Sequence, residues 1–434
     1  MIIELKVKNF RSIKDWQSFS MLAENKVKEH ENSIFENASQ NILSTAIIYG
    51  RNASGKSNIL KAFRAIQYMV TESAEFKIDK EIPPFEPYKL DNSCLKLPTE
   101  FYVDFIAKDN IRYVYEIGFT ATKIIYENLK FYPKSQPATL IERKYGESIK
   151  YGEYLTGRKK DIEDKLYDNQ LFLSKVSTDK LEGLTSAYLF FSEGIYVSTF
   201  HDTKYDNLLI QTFTNKMAKD DIPFFKENIN NLMCVADTGI EYVDIKEIEI
   251  DTDILPEDMS DEKKQELVEK YKHRIRTIHK KFDGEKEDGI VEFKLNDEST
   301  GTIKLLAMGG LILEALADGQ VLIIDELDKS LHPKLTKALI NIFHSKKTNP
   351  NNAQLIFATH DVSLLDNELF RRDQVWFAEK EYEGYSHYYA ISDISGVRQN
   401  APFEKYYMSG RFGANPVINE VELNFNFNGK IQRA

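Results

Sequence analysis

The chain has 434 residues, 42% hydrophobic, 29% charged and 12% aromatic, which excludes a disordered polymer and allows two or three domains. A net charge of −11 excludes wholesale coating of nucleic acid but leaves room for one local basic groove. Two distant cysteines, Cys94 and Cys234, exclude a disulfide framework and a cysteine zinc site, and read as buried thiols of a reducing compartment. No signal-peptide layout opens the chain and no apolar run approaches a bilayer span, so a cytoplasmic protein without a membrane partner is expected.

Ile2 to Phe10 reads as a strand, with Ile3, Leu5 and Val7 on one face and Glu4, Lys6 and Lys8 on the other. Residues 23–44 are polar and read as a loop or short irregular hairpin. Thr45 to Tyr49 is a buried strand. It runs into Gly50-Arg51-Asn52-Ala53-Ser54-Gly55-Lys56-Ser57, the spacing G-x-x-x-x-G-K-S, and then into a helix from Asn58 to about Glu72. Glycines let such a loop curl its N–H groups inward, and the helix N-terminus adds partial positive charge, so the stretch makes a phosphate cradle. Lys56 is expected to reach the β- and γ-phosphates of a nucleotide and the Ser57 hydroxyl to ligate Mg²⁺.

Prolines at 83, 84, 87 and 98 mark residues 76–99 as loop. Phe101–Ile106, Ile111–Phe119, Ile124–Tyr132 and Thr139–Arg143 read as an antiparallel meander. Residues 155–235 read as interrupted helix, including Lys165–Ser174 and Phe213–Asn231. Ile240–Ile245 reads as a strand. Asp258–Lys281 reads as one solvated helix or a helical hairpin, too short and too poorly patterned for a coiled-coil arm. It holds the one basic cluster, Lys272 to Lys281. That cluster is either a nucleic-acid contact or, more simply, a helix face balanced by acidic neighbours.

Ile290–Lys294 reads as a strand. Ser299-Thr300-Gly301-Thr302 opens an apolar helix in which Gly309-Gly310 suggests close helix packing. Such an opening is either a plain N-cap or an anion site presenting N–H groups and a hydroxyl. Gln320–Asp325 is a buried strand ending in Asp325-Glu326. Asp325 is placed to complete a magnesium shell and Glu326 to orient or deprotonate water. Leu331–Phe343 reads as a helix, with Pro333 in its first turn. Ala353–His360 is another buried strand; His360 at its end can read a γ-phosphate or simply cap. Val375–Ala378 is a further strand. Tyr406–Pro416 is rich in glycine and aromatics, and the chain ends in a polar segment read as loose.

Phosphate loop, long insertion, S-x-G-x helix start, D-E strand and T-H strand together resemble the ABC-type ATPase heads of SMC and RecF proteins, within the AAA family. Asn9-Phe10-Arg11-Ser12 adds to that likeness. Phe85-Glu86-Pro87-Tyr88-Lys89-Leu90-Asp91, Asp325–Pro333 and Gly410-Arg411-Phe412-Gly413-Ala414 resemble abortive-infection ATPases of the RloA type. The resemblance implies an α/β P-loop fold in two lobes. Residues 1–150 would hold the phosphate loop and meander, 151–285 a mainly helical partner or trigger module, and 286–434 the second lobe. It also implies that Ser299 and Gly301 act on nucleotide bound to the other subunit of a head-to-head dimer, with Asp328–His332 at that interface. The signature here lacks the second adjacent glycine and the glutamine of transporters, and no glutamine loop is placed: Gln67 lies in the first helix, and Tyr88-Lys89-Leu90 is only a candidate substitute.

The expected cofactors are ATP and Mg²⁺, bound by Gly50 through Asn58 with Ser57 and Asp325 on the metal. Lys56, Glu326 and His360 are the expected catalytic set. The expected function is a regulatory ATPase of phage defence, acting as a homodimer or higher oligomer on a separate nuclease-like effector, since no nucleolytic constellation is visible. The alternatives are a DNA-binding repair ATPase and a scaffold that binds nucleotide without hydrolysis.

Overall fold

The computed structural model describes residues 1–179, 181–198, 203–219, 224–236, 238–252, 255–256 and 258–414. The expectation of a loose terminus falls on 415–434, outside the described residues, as does the end of the Tyr406–Pro416 stretch.

In chain order, β1 (Ile2–Lys8) and β2 (Gln17–Ser20) are followed by the small hairpin β3 (Ile34–Asn37) and β4 (Gln40–Leu43). β5 (Thr45–Tyr49) leads into α1 (Lys56–Glu72). The meander is β6 (Thr99–Ile106), β7 (Arg112–Phe119), β8 (Ile124–Tyr132), β9 (Ala138–Lys144) and β10 (Lys150–Tyr151). Then come α2 (Lys159–Glu163), α3 (Glu182–Ser192), β11 (Ile195–Ser198), α4 (Thr203–Lys219), α5 (Phe225–Val235) and β12 (Ile240–Glu247). After these, α6 (Asp261–Tyr271), β13 (His273–Asp283) and β14 (Lys286–Lys294) precede α7 (Thr300–Asp318) and β15 (Val321–Ile324). The chain continues through α8 (Pro333–Phe343), β16 (Gln354–Ala358), β17 (Val375–Lys380), β18 (Ser386–Ala390) and α9 (Phe403–Met408).

Six strands form the central sheet in the order β11-β15-β16-β5-β17-β18, parallel except for β18. The antiparallel sheet runs β10-β9-β8-β7-β6-β1-β2. Strand alternation divides the core into two layers. Ala46, Ile48, Ile323, Ile356 and Ala378 pack towards α1 and the antiparallel sheet. Ile47, Tyr49, Leu322, Ile324 and Phe357 pack towards α7 and α8. The result is an α/β fold in which a mainly parallel central sheet, with the phosphate loop at the end of β5, packs across α1 from an antiparallel β-meander.

α7 alone among the described helices is long and apolar enough to cross a membrane, although no apolar run was expected to approach that length. It is a core helix, packed by α4, α5 and β15. Gly309 and Gly310 make that packing possible: a Cβ on Gly310 would lie 2.2 Å from the Phe213 ring, and one on Gly309 would lie 2.3 Å from Leu232.

Four expectations are corrected. Asp258–Lys281 is a helix only to Tyr271, and the basic run lies on a strand. Ile275 and Thr277 alternate into the interior, and pairing with β12 and β14 outweighs the local helical pattern. The balancing acids are present: Lys272 meets Glu269, Arg276 meets Glu292, and Lys280 meets Glu287. Within 155–235, β11 forms the edge of the central sheet, and Lys165–Ser174 is not α-helix. There the Asn169 and Gln170 amides bond backbone carbonyls of residues 74–80 instead. Cys234 is exposed rather than buried.

Candidate functional site

The parallel strands β15, β16, β5 and β17 all end on the same side, where loops of an open α/β sheet gather ligand-binding groups. At the end of β5, Gly50 and Gly55 have φ of 154° and 109°. A Cβ on Gly50 would lie 2.3 Å from the Ala378 carbonyl, so only glycine lets the loop pass β17. Ala53 is left-handed as well, at φ 62°. Gly55 caps α1 with no side-chain hydrogen bond, so no side chain competes for the N–H groups at that helix start. The Ser54 hydroxyl is buried without a hydrogen-bond partner. These features fit an oxyanion ligand such as a phosphate.

The loop is gripped from behind by the β17–β18 hairpin. Asn58 Nδ2 donates to Ser12 Oγ at 2.6 Å, Ser12 Oγ lies 2.7 Å from Ser386 Oγ, and Ser386 Oγ donates to the Ser54 carbonyl at 2.6 Å. Tyr388 donates to the Gly55 carbonyl at 2.7 Å, and Arg51 donates to the Lys380 carbonyl at 2.7 Å. The Asn58 backbone N–H bonds the Gly55 carbonyl and its side chain bonds Ser12 and Arg11, so it also supports the loop. Asn52 and Ala53 are exposed, and Ser57 is half-buried.

Lys56 is 6% exposed and its Nζ donates to the Gly50 carbonyl at 2.7 Å. Burial lowers its pKa to about 8, against the opposing pull of Asp325, Glu326 and Asp328. Asp325 is buried at the end of β15, with its N–H on the Ser198 carbonyl. Glu326 holds φ 49°, an uncommon conformation for a non-glycine residue, and its carboxylate lies 3.6 Å from Lys329 Nζ. His360 follows β16, and its backbone level is fixed by Thr359 N–H on the Ile48 carbonyl at 3.3 Å. Desolvation first and the Lys56 ammonium second hold His360 below the ordinary histidine range, while Glu326, Asp328 and Asp325 pull it up. Lys56, Asp325, Glu326, Asp328 and His360 therefore share one electrostatic neighbourhood. Among the described residues no cluster of three or more His, Cys, Asp or Glu could hold a metal alone. A hydroxyl and one carboxylate, Ser57 and Asp325, suit Mg²⁺ that takes its other ligands from phosphate and water.

Ser299 and Gly301 lie elsewhere in the pattern of contacts. The Ser299 hydroxyl caps α7 by accepting from Thr302 N–H at 3.1 Å, and Gly301 faces the Ser330 carbonyl. Gln67 ties α1 to the Phe191 and Ile195 carbonyls, so it is a structural tether. Tyr88 is bonded to Asn9 and to the Glu383 carbonyl. Ser386 and Tyr388 were missed from sequence because a short hairpin with one serine and one tyrosine carries no motif.

Residues 46–366 match the family described as "AAA domain, putative AbiEii toxin, Type IV TA system". The chain belongs to this family. The matched region of this AAA domain spans the phosphate loop and both the acidic and the histidine strand ends. No curated protein matches it. Among solved structures, this AAA domain is similar to an SMC head bound to the C-winged-helix domain of ScpA. The identity is 12% and the TM-score 0.45, over 90% of this chain and 99% of the other. The SMC head domain from Thermotoga maritima gives 13% and 0.37 over 90% and 98%. RecF-ATPrS of the RecFOR pathway gives 14% and 0.37 over 89% and 98%.

Proposed function

We propose that the chain binds ATP with Mg²⁺ at Gly50–Ser57, hydrolyses it, and uses the cycle to open and close a dimer of heads that controls a separate effector. The supporting observation is the convergence of Lys56, Asp325, Glu326 and His360 at neighbouring strand ends. Lys56, mostly charged at neutral pH, contacts the β- and γ-phosphates. Ser57 and Asp325 hold Mg²⁺, which when bound supplies charge neutralisation for the phosphates. Glu326, half-exposed and fixed by its left-handed backbone, orients water and takes its proton. His360 donates to the γ-phosphate and senses its departure. Ser299 and Gly301 serve the nucleotide of a second copy, where the free face of the α7 N-terminus stabilises charge moving in phosphoryl transfer.

Of residues 151–285, the part after β11 and outside the central sheet, α4, α5 and α6 with β12 and β13, serves as the trigger or partner module. The family description, with its toxin and toxin–antitoxin terms, supports a defence role, in which the separate effector is nuclease-like. The test is solution mass. Glu326→Gln with Mg-ATP accumulates a dimer by light scattering, and adding Ser299→Arg returns it to monomer. A Glu326→Gln protein that stays monomeric at saturating ATP contradicts the dimer cycle.

A further inference from the structure

The basic run on β13 is not fully neutralised, and the remainder lines two adjoining cavities of about 490 and 470 Å³. They share Asn207, Gln211 and Arg274. No aspartate or glutamate is among the described residues lining either one, in a chain whose net charge is −11. The first cavity holds Arg274, Arg276 and Lys294, with Asn207 and Asn296 beside them. Arg276 shares its charge with Glu292. Arg274 makes no ion pair among the described residues. Its guanidinium donates to the neutral Gln211 Oε1 at 3.1 Å, which leaves its charge unspent. Lys294 likewise has no ion pair among the described residues. The second cavity is apolar and aromatic, built by Tyr205, Leu208 and Tyr271 around Lys204. Leu208 is 47% exposed there, and Arg274 sits 5.7 Å from the Tyr271 ring centroid.

We infer that these joined cavities are a second ligand site, for a nucleoside phosphate: anionic end on Arg274 and Lys294, base against Tyr271. Cationic side chains and amides converge on one half, and an aromatic, apolar surface forms the other, which is the division such a ligand requires. The combined space suits a mononucleotide. The site lies where α4 is fastened to α7. Asp206, next to Asn207, forms a buried 3.0 Å ion pair with Lys304, and Asn296 precedes Ser299 by one short turn. It lies outside the phosphate loop and does not depend on the proposed hydrolysis.

The test is calorimetric titration of the full chain with ADP and with inorganic pyrophosphate. Wild type binds two ADP per chain, Lys56→Ala binds one, and Arg274→Ala/Lys294→Ala binds one, at the phosphate loop. Each single substitution weakens the second site about tenfold, the worth of one charged hydrogen bond. The charge-retaining Arg274→Lys/Lys294→Arg protein keeps the site, which separates lost charge from lost folding. Unchanged ADP binding in the double-alanine protein overturns the site, as does equal loss in the charge-retaining protein. Pyrophosphate that binds the second site of Lys56→Ala as tightly as ADP overturns the nucleoside assignment. If the phosphate-loop reading alone is wrong, Lys56→Ala and wild type bind alike while the Arg274/Lys294 effect persists.

Discussion

The buried ammonium of Lys56 makes nucleotide affinity depend on pH in a way that can be worked out in advance. Burial holds its pKa at about 8, whereas phosphate contact favours the charged form. Binding then competes with deprotonation, and the dissociation constant grows as one plus ten to the power of pH minus pKa. From pH 7 to pH 9 this factor rises about tenfold, and binding at pH 9 takes up about 0.9 proton per site. The sign is definite: affinity falls as pH rises through about 8 and is flat well below it. Titration in two buffers of different ionisation enthalpy measures the proton count. Lys56→Arg, charged at every accessible pH, keeps binding and loses the slope. A dissociation constant that stays level between pH 7.5 and 9 in wild type, with no proton uptake, refutes the placement of a buried cation on the phosphates.

Two predictions concern the scaffold. His344 is buried, 2.8 Å from Thr45 Oγ1, and burial lowers its pKa to about 4. The unfolded chain therefore gains a proton near pH 6.5 that the folded chain refuses, and stability falls by about 3 kcal/mol between pH 6.5 and 4. His344→Gln should flatten that part of a urea-denaturation pH series, and an unchanged slope would discard the histidine as its source. Arg371, fully buried, donates to Asp373 at 2.9 and 2.8 Å and to the Val27 and Glu29 carbonyls. Arg371→Met leaves Asp373 buried without its cation and should cost about 3–5 kcal/mol in urea unfolding; a loss under 1 kcal/mol would show that the pocket relaxes.

The phosphate loop, the acidic strand end and the histidine strand end were legible because each is local. An apolar run of four or five residues fixes the strand, and glycine spacing or terminal carboxylates fix the turn after it. Register did the rest: pairing of β16 with both β15 and β5 brings residues 56, 326 and 360 together. The illegible elements depend on distant partners. β11 is four residues long, and only Val321–Ile324 beside it makes it a strand. β13 carries charges at a spacing that suits a helix, and β12 and β14 impose the extended form. Ser386 reaches Ser54 across more than three hundred residues, and nothing adjacent to it in the chain announces that contact.

The most direct measurement is single-turnover phosphate release from Mg-ATP by wild type and Glu326→Gln, with bound nucleotide assayed in parallel. Wild type should release phosphate, while the glutamine protein retains ATP and turns over at least about a hundredfold more slowly, the scale expected for a lost general base. Equal release rates from the two proteins would contradict the assignment of Glu326 and, with it, the proposed hydrolytic centre.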